Sequence, residues 1–203
     1  MTTILLIRHG EVAGITPPRF RGRDDLALTP KGVRQAEQVR DAINNRWVLN
    51  AVYCSPLSRC VRTADAIATP CKLDSIPHHG LIDTHYGTWQ GLPVTEVAQR
   101  WPEDLVRWHA APQTMRIPGG ESLQDVQARV VDALNAILRA HRHGVVAVVA
   151  HDSVNRVLLC HALGLSLGSY WTLSQSPCGI SEIAFADDRF AIHSINETQH
   201  LGE

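Results

Sequence analysis

Four side chains that could bind a phosphate group follow three apolar segments of the chain. The apolar segments are residues 4–7, 51–54 and 145–150. The side chains that follow them are Arg8, His9, Arg59 and His151. Arginine guanidinium groups match phosphate oxygens in a two-point geometry, whereas their charge repels metal cations. These residue types therefore predict an anion site for phosphate rather than a metal centre.

Features close to these four side chains suit the same ligand. Gly10 has no side chain, so the backbone after His9 can come close to a bound group. A helix is predicted to begin near Asp152, and the amide groups at a helix N-terminus attract phosphate. Asp83 lies in a predicted loop near the same place.

The order of the predicted elements explains how these residues could meet. Apolar strands alternate with helical patterns, and residues 180–186 and 190–195 predict an antiparallel hairpin across Asp187 and Asp188. The predicted fold class is α/β, a three-layer α/β/α domain with a mostly parallel central sheet and an antiparallel edge. Ligands of open α/β sheets bind at the carboxyl ends of the strands, so we expect one site there.

The helices have recognisable start signals. Thr29 and Pro30 predict a helix to about residue 45, Ser55 and Pro56 predict one through residue 68, and Ser122 is a predicted N-cap. Further helices are predicted over residues 94–101, 103–109 and 152–163, a strand over 73–76, and long loops over 11–28 and 77–93.

Length and charge limit the classes of function. The 203 residues are enough for one domain with a sizeable core, which we expect to span residues 1–203. The formal net charge is −1, so no wide basic surface is expected for nucleic acid or an anionic membrane. Any anion site must be local.

The cysteines and the N-terminus indicate the compartment. The five cysteines are odd in number and form no Cys-x-x-Cys pair, which favours a reducing compartment and predicts no thiolate metal site. The apolar run at residues 4–7 is too short for a signal peptide, and no apolar stretch approaches the roughly 20 residues of a membrane helix. We expect a cytoplasmic protein.

Several short motifs occur along the chain in a characteristic order. They are LIRHGE at residues 6–11, LTPKG at 28–32, SPLSR at 55–59, GTWQG at 87–91, GGES at 119–122, and the strand end at His151. This series resembles the histidine phosphatase superfamily, also called the phosphoglycerate mutase-like family. A single Arg-His-Gly is weak evidence, whereas five ordered motifs over most of one chain are strong evidence.

The resemblance implies catalytic roles for the four phosphate-binding candidates. His9 would be the nucleophile that becomes phosphohistidine. Arg8, Arg59 and His151 would hold the phosphoryl oxygens and stabilise their charge. The implied enzyme is a phosphatase that needs no metal and no other cofactor.

The acid that would protonate the leaving oxygen has two candidates. The family places a glutamate before the Gly-x-Trp-x-Gly segment, and the aligned residue here is Asp83, one methylene shorter. Another branch of the superfamily uses a His-Asp motif, which His151 and Asp152 resemble. Asp83 is favoured, because the surrounding motifs are of the mutase-like branch. Asp83 could otherwise be a turn residue, and Asp152 could be a helix N-cap.

The loops are expected to determine the substrate. Gly22 matches a glycine of the family, Arg21 adds positive charge, and His85 adjoins the Asp83 loop. Residues 196–201 resemble the tails of phosphoserine phosphatases of this superfamily, so His200 could fold over the pocket and meet a substrate carboxylate. The expected substrate is a small acidic phosphomonoester, such as a phosphoserine-like compound.

Three other functions stay open. A cofactor-dependent phosphoglycerate mutase is disfavoured because residues 12–15 (VAGI) replace the Ser-x-Trp-Asn stretch of mutases. An α-ribazole phosphatase would differ only in its substrate loop. A non-catalytic phosphate-binding module is disfavoured because His9 and its partners are intact. Neither nucleic acid nor membrane is expected as a partner, and a homodimer stays open.

Overall fold

Six strands form one mixed sheet in the computed structural model, which describes residues 1–13 and 17–202. The strands are β1 (Thr2–Arg8), β2 (Leu49–Cys54), β3 (Ser75–Pro77), β4 (Gly144–Ala150), β5 (Ile180–Ala186) and β6 (Arg189–Glu197). Their order in the sheet is β3-β2-β4-β1-β5-β6. The pairs β1–β4, β4–β2 and β2–β3 are parallel, and the pairs β1–β5 and β5–β6 are antiparallel. The predicted sheet with an antiparallel edge is confirmed.

Helices cover both faces of this sheet. They are α1 (Pro30–Arg46), α2 (Ser58–Ala68), α3 (Val94–Arg100), α4 (Pro102–Ala110), α5 (Leu123–Ala140) and α6 (Asp152–Ala162). The alternation of β1 divides the core: Ile4 and Leu6 pack with α5 and α6, and Leu5 and Ile7 pack with α1 and α2. A strand that is buried on both faces is typical of a parallel three-layer fold, so the predicted layers are confirmed.

The helix starts follow local chemistry. The Thr29 side chain accepts from the Gly32 amide, and Pro30 stands where no donor is needed. Ser122 and Asp125 form a capping box at α5, in which each side chain accepts from the backbone of the other residue. These two caps were predicted correctly in position.

Two predicted boundaries are wrong. The second helix begins at Ser58 rather than Ser55, because the Ser55 amide still donates to the Val149 carbonyl at 3.0 Å and Leu57 is extended. The third strand is Ser75–Pro77 rather than residues 73–76, because its pairing with β2 extends to Pro77. The predicted loop 11–28 and the VAGI stretch include residues 14–16, which lie outside the described residues.

The turn at the antiparallel edge of the sheet agrees with the predicted hairpin. Asp187 and Asp188 both have positive φ, 50° and 58°, as a tight two-residue hairpin turn between β5 and β6 requires. Over residues 1–13 and 17–202, no helix has the length and apolar composition needed to cross a membrane.

Candidate active site

A cavity of about 400 Å³ opens at the carboxyl ends of the parallel strands. One group of its lining residues is mainly polar and contains predicted site residues, namely Arg8, His9, Arg21, Gly22, Asp83 and Asp152. Another group consists of rings, namely Phe20, Tyr86, Trp108, His109, Tyr170 and Trp171. One cavity therefore combines charged groups and an aromatic wall.

His9 stands at the end of β1 with its ring fixed in one tautomer. Its Nδ1 is 2.7 Å from the Gly10 carbonyl oxygen, which can only accept, so Nδ1 carries the hydrogen. Nε2 therefore has a lone pair and accepts from Arg59 Nε at 3.2 Å. Burial, followed by the charges of His151, Arg59 and Arg8, holds the pKa of His9 well below its usual range. The ring is neutral and nucleophilic at neutral pH.

Gly10 is needed for a reason other than the predicted one. A Cβ atom at this position would lie 2.4 Å from the Gly32 carbonyl oxygen, so the close approach is to the first turn of α1. The Gly10 amide donates to Thr63 Oγ1 at 3.1 Å rather than to an open position in the cavity. Gly10 thus fixes the turn that aims His9.

Arg59 is completely buried at the first turn of α2 and connects the inner residues. Besides the contact with His9, its Nη2 donates to Asp83 Oδ2 at 3.0 Å and to the Gly22 carbonyl at 2.7 Å. Its Nη1 donates to the Asp24 carbonyl at 2.7 Å. A guanidinium group held by this many acceptors is fixed in orientation before any ligand arrives.

Arg8 follows β1 and is 8% exposed. Its Nη1 donates to the Gln175 carbonyl at 2.6 Å and lies 3.7 Å from Asp152 Oδ1. Its Nε is buried and has no hydrogen-bond partner in the described part of the chain. A buried donor without a partner is costly, so a ligand oxygen beside it would be stabilised.

His151 faces His9, with ring centroids 5.2 Å apart. Its Nε2 is 2.8 Å from Ser55 Oγ, and its Nδ1 is 3.4 Å from Asp83 Oδ2. Burial, followed by the charges of nearby arginines, of which Arg59 is the strongest, holds its pKa well below the usual range. Because a carboxylate only accepts, the arrangement favours the tautomer whose Nδ1–H faces Asp83.

The two candidate acids occupy different environments. Asp83 is 8% exposed and contacts Arg59 and His151, which both adjoin His9. Asp152 is the first residue of α6, and its Oδ2 accepts from Arg156 Nε at 3.0 Å. The N-cap of α6 is His151, so the interpretation of Asp152 as that cap is wrong. Both carboxylates line the cavity, but only Asp83 shares its partners, Arg59 and His151, with His9.

Arg21 and Gly22 lie in the cavity as predicted. Burial and the neighbouring charge of Arg8 lower the pKa of Arg21, while Asp83 acts in the opposite direction. Gly22 has φ +50°, and a Cβ atom there would lie 2.8 Å from the Thr84 carbonyl oxygen. Glycine is therefore required where its carbonyl receives Arg59.

His85 and His200 are not brought to the cavity. The amide of His85 donates to Glu121 Oε2 at 2.9 Å, and its Nδ1 accepts from the Gly87 amide at 3.2 Å. The Nε2 of His200 lies 3.0 Å from the Cys178 carbonyl oxygen. The tail packs against α1 rather than over the pocket, because Leu201 is buried in the core between α1, α2 and the sheet.

Some residues that line the cavity are not indicated by the sequence motifs. They are Ser153, Arg156 and Gln175. Arg156 follows Asp152 by four residues on a helix, a spacing that predicts the observed ion pair. Ser153 and Gln175 could not be found in this way, because their positions depend on how α6 and the segment before β5 meet the Asp83 loop. Among the described residues, no group of three His, Cys, Asp or Glu side chains could hold a metal ion.

Comparison with known proteins agrees with this geometry. The sequence model of the histidine phosphatase superfamily (branch 1) matches residues 4–198. Phosphoserine phosphatase 1 of Hydrogenobacter thermophilus is 34% identical over 203 residues, which are all of this chain and 96% of that protein.

Solved structures show the same fold. Bacillus stearothermophilus YhfR has a TM-score of 0.93 and 25% identity, over 99% of this chain and 100% of that one. A phosphoserine phosphatase of Entamoeba histolytica, in complex with 3-phosphoglyceric acid, has a TM-score of 0.87 and 25% identity over 99% and 100%. The predicted family resemblance is confirmed.

Proposed function

Because the chain belongs to the histidine phosphatase superfamily (branch 1), we propose that it hydrolyses a small acidic phosphomonoester through a phosphohistidine at His9. The observation that carries this proposal is the tautomer of His9. Its Nδ1–H is tied to the Gly10 carbonyl, and its Nε2 lone pair faces the fork of Arg59 at 3.2 Å. A neutral nucleophile and a fixed cation thus meet at one point of the cavity.

The first chemical step follows from this arrangement. Nε2 of His9 attacks phosphorus, and the bond from phosphorus to the leaving oxygen breaks. Arg8, Arg59 and the Nδ1–H of His151 stabilise the charge on the three remaining oxygens. Arg8 and His151 are buried and held by partners before the substrate binds, whereas Arg59 exchanges its contacts with His9 Nε2 and Asp83 Oδ2 for the phosphoryl oxygens.

Asp83 is proposed as the acid of this step. In the free protein its Oδ2 accepts from Arg59 Nη2 at 3.0 Å. A phosphate that takes over this donor leaves Asp83 next to a dianion and without its cation, and both changes favour a protonated carboxyl group. Protonation is therefore coupled to substrate binding. In the second step, Asp83 takes a proton from the water that attacks the phosphohistidine.

Charge supports an acidic substrate. Five arginines line or adjoin the cavity, whereas its carboxylates are Asp83 and Asp152. The arginines are Arg8, Arg19, Arg21, Arg59 and Arg156. A phosphate dianion balances only two of the three excess positive charges. A further carboxylate on the substrate would balance the third, as in phosphoglycerate. Phosphoserine has the same carboxylate, but its ammonium group offsets that charge.

The aromatic wall favours a second candidate, an α-ribazole phosphatase. A leaving group with a planar ring could stack on rings such as Trp108 and Trp171, which line the cavity. This activity would use the same phosphohistidine chemistry. The two candidates therefore differ only in which phosphomonoester is hydrolysed fastest.

The test is phosphate release from a panel of monoesters in the presence of EDTA. Wild type is compared with His9→Ala on phosphoserine, 3-phosphoglycerate, α-ribazole phosphate and p-nitrophenyl phosphate. We expect release by wild type only, and fastest from an acidic alkyl ester. Loss of release in EDTA would contradict metal independence. Interconversion of phosphoglycerates without release would indicate a mutase instead.

A further inference from the structure

The donors around Asp83 reach its two oxygens unequally. Oδ1 accepts from the Thr84 amide at 2.9 Å and from the Ser153 hydroxyl at 2.6 Å. Oδ2 accepts from Arg59 Nη2 at 3.0 Å. A carboxylate oxygen has about two acceptor positions. Those of Oδ1 are both occupied by short contacts, whereas the second neighbour of Oδ2, His151 Nδ1, lies at 3.4 Å, and Arg59 is the donor that a bound phosphate would take over. A proton that arrives on this carboxyl group therefore goes to Oδ2.

Oδ2 is also the oxygen nearer to the reacting groups. It shares Arg59 with His9 Nε2 and lies 3.4 Å from His151 Nδ1. When phosphate takes over Arg59, Oδ2 becomes free to carry the proton, whereas Oδ1 stays bound to Thr84 and Ser153. The two contacts at Oδ1 thus determine which oxygen acts.

Ser153 is well placed to hold Oδ1 in this way. It lies in the first turn of α6, is 2% exposed and lines the cavity. A helix start is rigid, whereas Asp83 lies in a segment with little regular structure. Aspartate is also one methylene shorter than glutamate, so its reach depends more strongly on how the carboxyl group is turned.

We propose that Ser153 is a positioning residue whose hydroxyl turns the Asp83 carboxyl group so that the proton on Oδ2 faces the leaving oxygen. This inference rests on the proposed function. In the first step, that proton moves to the leaving oxygen, which keeps the electron pair of the broken P–O bond while His9 Nε2 bonds to phosphorus. In the second, Oδ2 takes a proton from water as its oxygen bonds to phosphorus, and the P–N electron pair returns to Nε2.

The test compares leaving groups that differ in their need for a proton. Phosphoserine releases an alkoxide-like oxygen that must be protonated, whereas p-nitrophenyl phosphate releases a stable phenolate. Removal of the hydroxyl by Ser153→Ala should lower kcat/KM, which reports the steps up to release of the leaving group, about tenfold for phosphoserine but no more than about twofold for p-nitrophenyl phosphate. Ser153→Thr keeps the hydroxyl and should restore most of the loss. Ser166→Ala, on an exposed residue, is the matched control.

The melting temperature of each variant separates loss of fold from loss of function. If Ser153→Ala does not fold, Ser153→Cys carries the same comparison, because a thiol keeps the volume and is a weaker donor. Equal losses for both substrates, or no rescue by threonine in a folded variant, would overturn the positioning role. Wild type and His9→Ala are assayed alongside, so absence of His9-dependent release would instead refute the proposed function itself.

Discussion

Arg59 contacts both the proposed nucleophile and the proposed acid of the first step. It reaches His9 through Nε and Asp83 through Nη2, and it is completely buried. A lysine would keep the charge but would lose the planar fork that bridges these two groups. Phosphate would then contact a single ammonium group, which cannot take the position of both guanidinium nitrogens.

The variant Arg59→Lys should therefore lower kcat/KM roughly hundredfold, since one charge-assisted group in a buried site has effects of this size on the transition state. Steady-state kinetics on the best substrate of the panel measures it. Arg62→Lys, at an exposed arginine on the same helix, is the control and should stay near wild type. A loss of less than about threefold for Arg59→Lys would argue against its role in the transition state.

Residues at strand ends could be predicted, whereas those that depend on loop packing could not. Arg8, His9 and His151 follow apolar runs directly, so the sheet alone brings them to one mouth. His85 adjoins the same loop in sequence, yet its ring contacts Gly87 instead of lining the cavity. Direction of a side chain in a loop depends on backbone turns that the sequence pattern does not specify.

At the scale of elements, the loop of Asp83 is fastened to α5 by one side chain. Arg129 donates to the carbonyls of Gly80 and Asp83 at 2.9 and 3.2 Å, and its Nε donates to Glu121 at 2.8 Å. Glu121 in turn accepts from the His85 amide. The backbone position of the acid thus depends on a helix that contributes no group to the chemistry.

Arg129→Met keeps the length of the side chain and removes these donors. We expect kcat to fall about tenfold with KM changed less than about twofold, since a displaced acid affects the transition state more than substrate binding. Arg139→Met, an exposed position on the same helix, is the control. A rise in KM at constant kcat would show that the contacts of Arg129 support substrate binding rather than the position of Asp83.

The C-terminal segment illustrates how a family resemblance can mislead about position. The tail was expected to cover the pocket, but Gln38 Nε2 on α1 donates to the Leu201 carbonyl at 3.1 Å, and Leu201 is 7% exposed. Leu201 therefore holds the tail against α1, and the His200 ring contacts the Cys178 carbonyl instead of lining the cavity.

Leu201→Ala should lower the free energy of unfolding by about 2 kcal/mol, the lower end of the range for a buried leucine. Leu165→Ala, at an exposed leucine, should have a much smaller effect. Urea unfolding of both variants measures the difference. His200→Ala should leave kcat/KM within about twofold, because surface contacts far from the transition state contribute little to it. A large loss of kcat/KM in His200→Ala would restore the idea of a tail over the pocket.

In the whole molecule, acidic and basic residues nearly cancel, whereas positive charge is concentrated at the cavity. The net charge of −1 gave no indication of a basic surface, yet Arg8, Arg21 and Arg59 gather around one cavity. The layers and the sheet could be predicted because hydrophobic periodicity defines them over many residues. The exact pairing of arginines with Asp83 and Asp152 could not, because it depends on distances of a few ångström between loops.

The buried histidines should make stability depend on pH. The pKa values of His9 and His151 lie well below 6.5 in the folded protein. Below pH 6.5 the unfolded chain binds protons that the folded protein does not, so stability is full above this pH and decreases as pH falls. Each histidine contributes a slope of up to about 1.4 kcal/mol per pH unit.

Urea unfolding at pH 7.5, 6 and 5 measures how the free energy of unfolding depends on pH in wild type and in each variant. His9→Asn should unfold with a smaller pH slope than wild type, by roughly the share of one proton. His79→Asn removes an exposed histidine and should keep the slope of wild type. An unchanged slope in His9→Asn would mean that His9 has the same pKa in the folded protein as in the unfolded chain.

In the proposed reaction, His9 carries the phosphoryl group during turnover. The most direct measurement is rapid quenching of wild type with the best substrate of the panel, followed by mass spectrometry and mapping of the modified peptide. We predict a phosphoryl group on His9 that is labile to acid, stable to base and absent in His9→Ala. Turnover with no phosphoenzyme at any quench time, or with the label on another residue, would contradict the account.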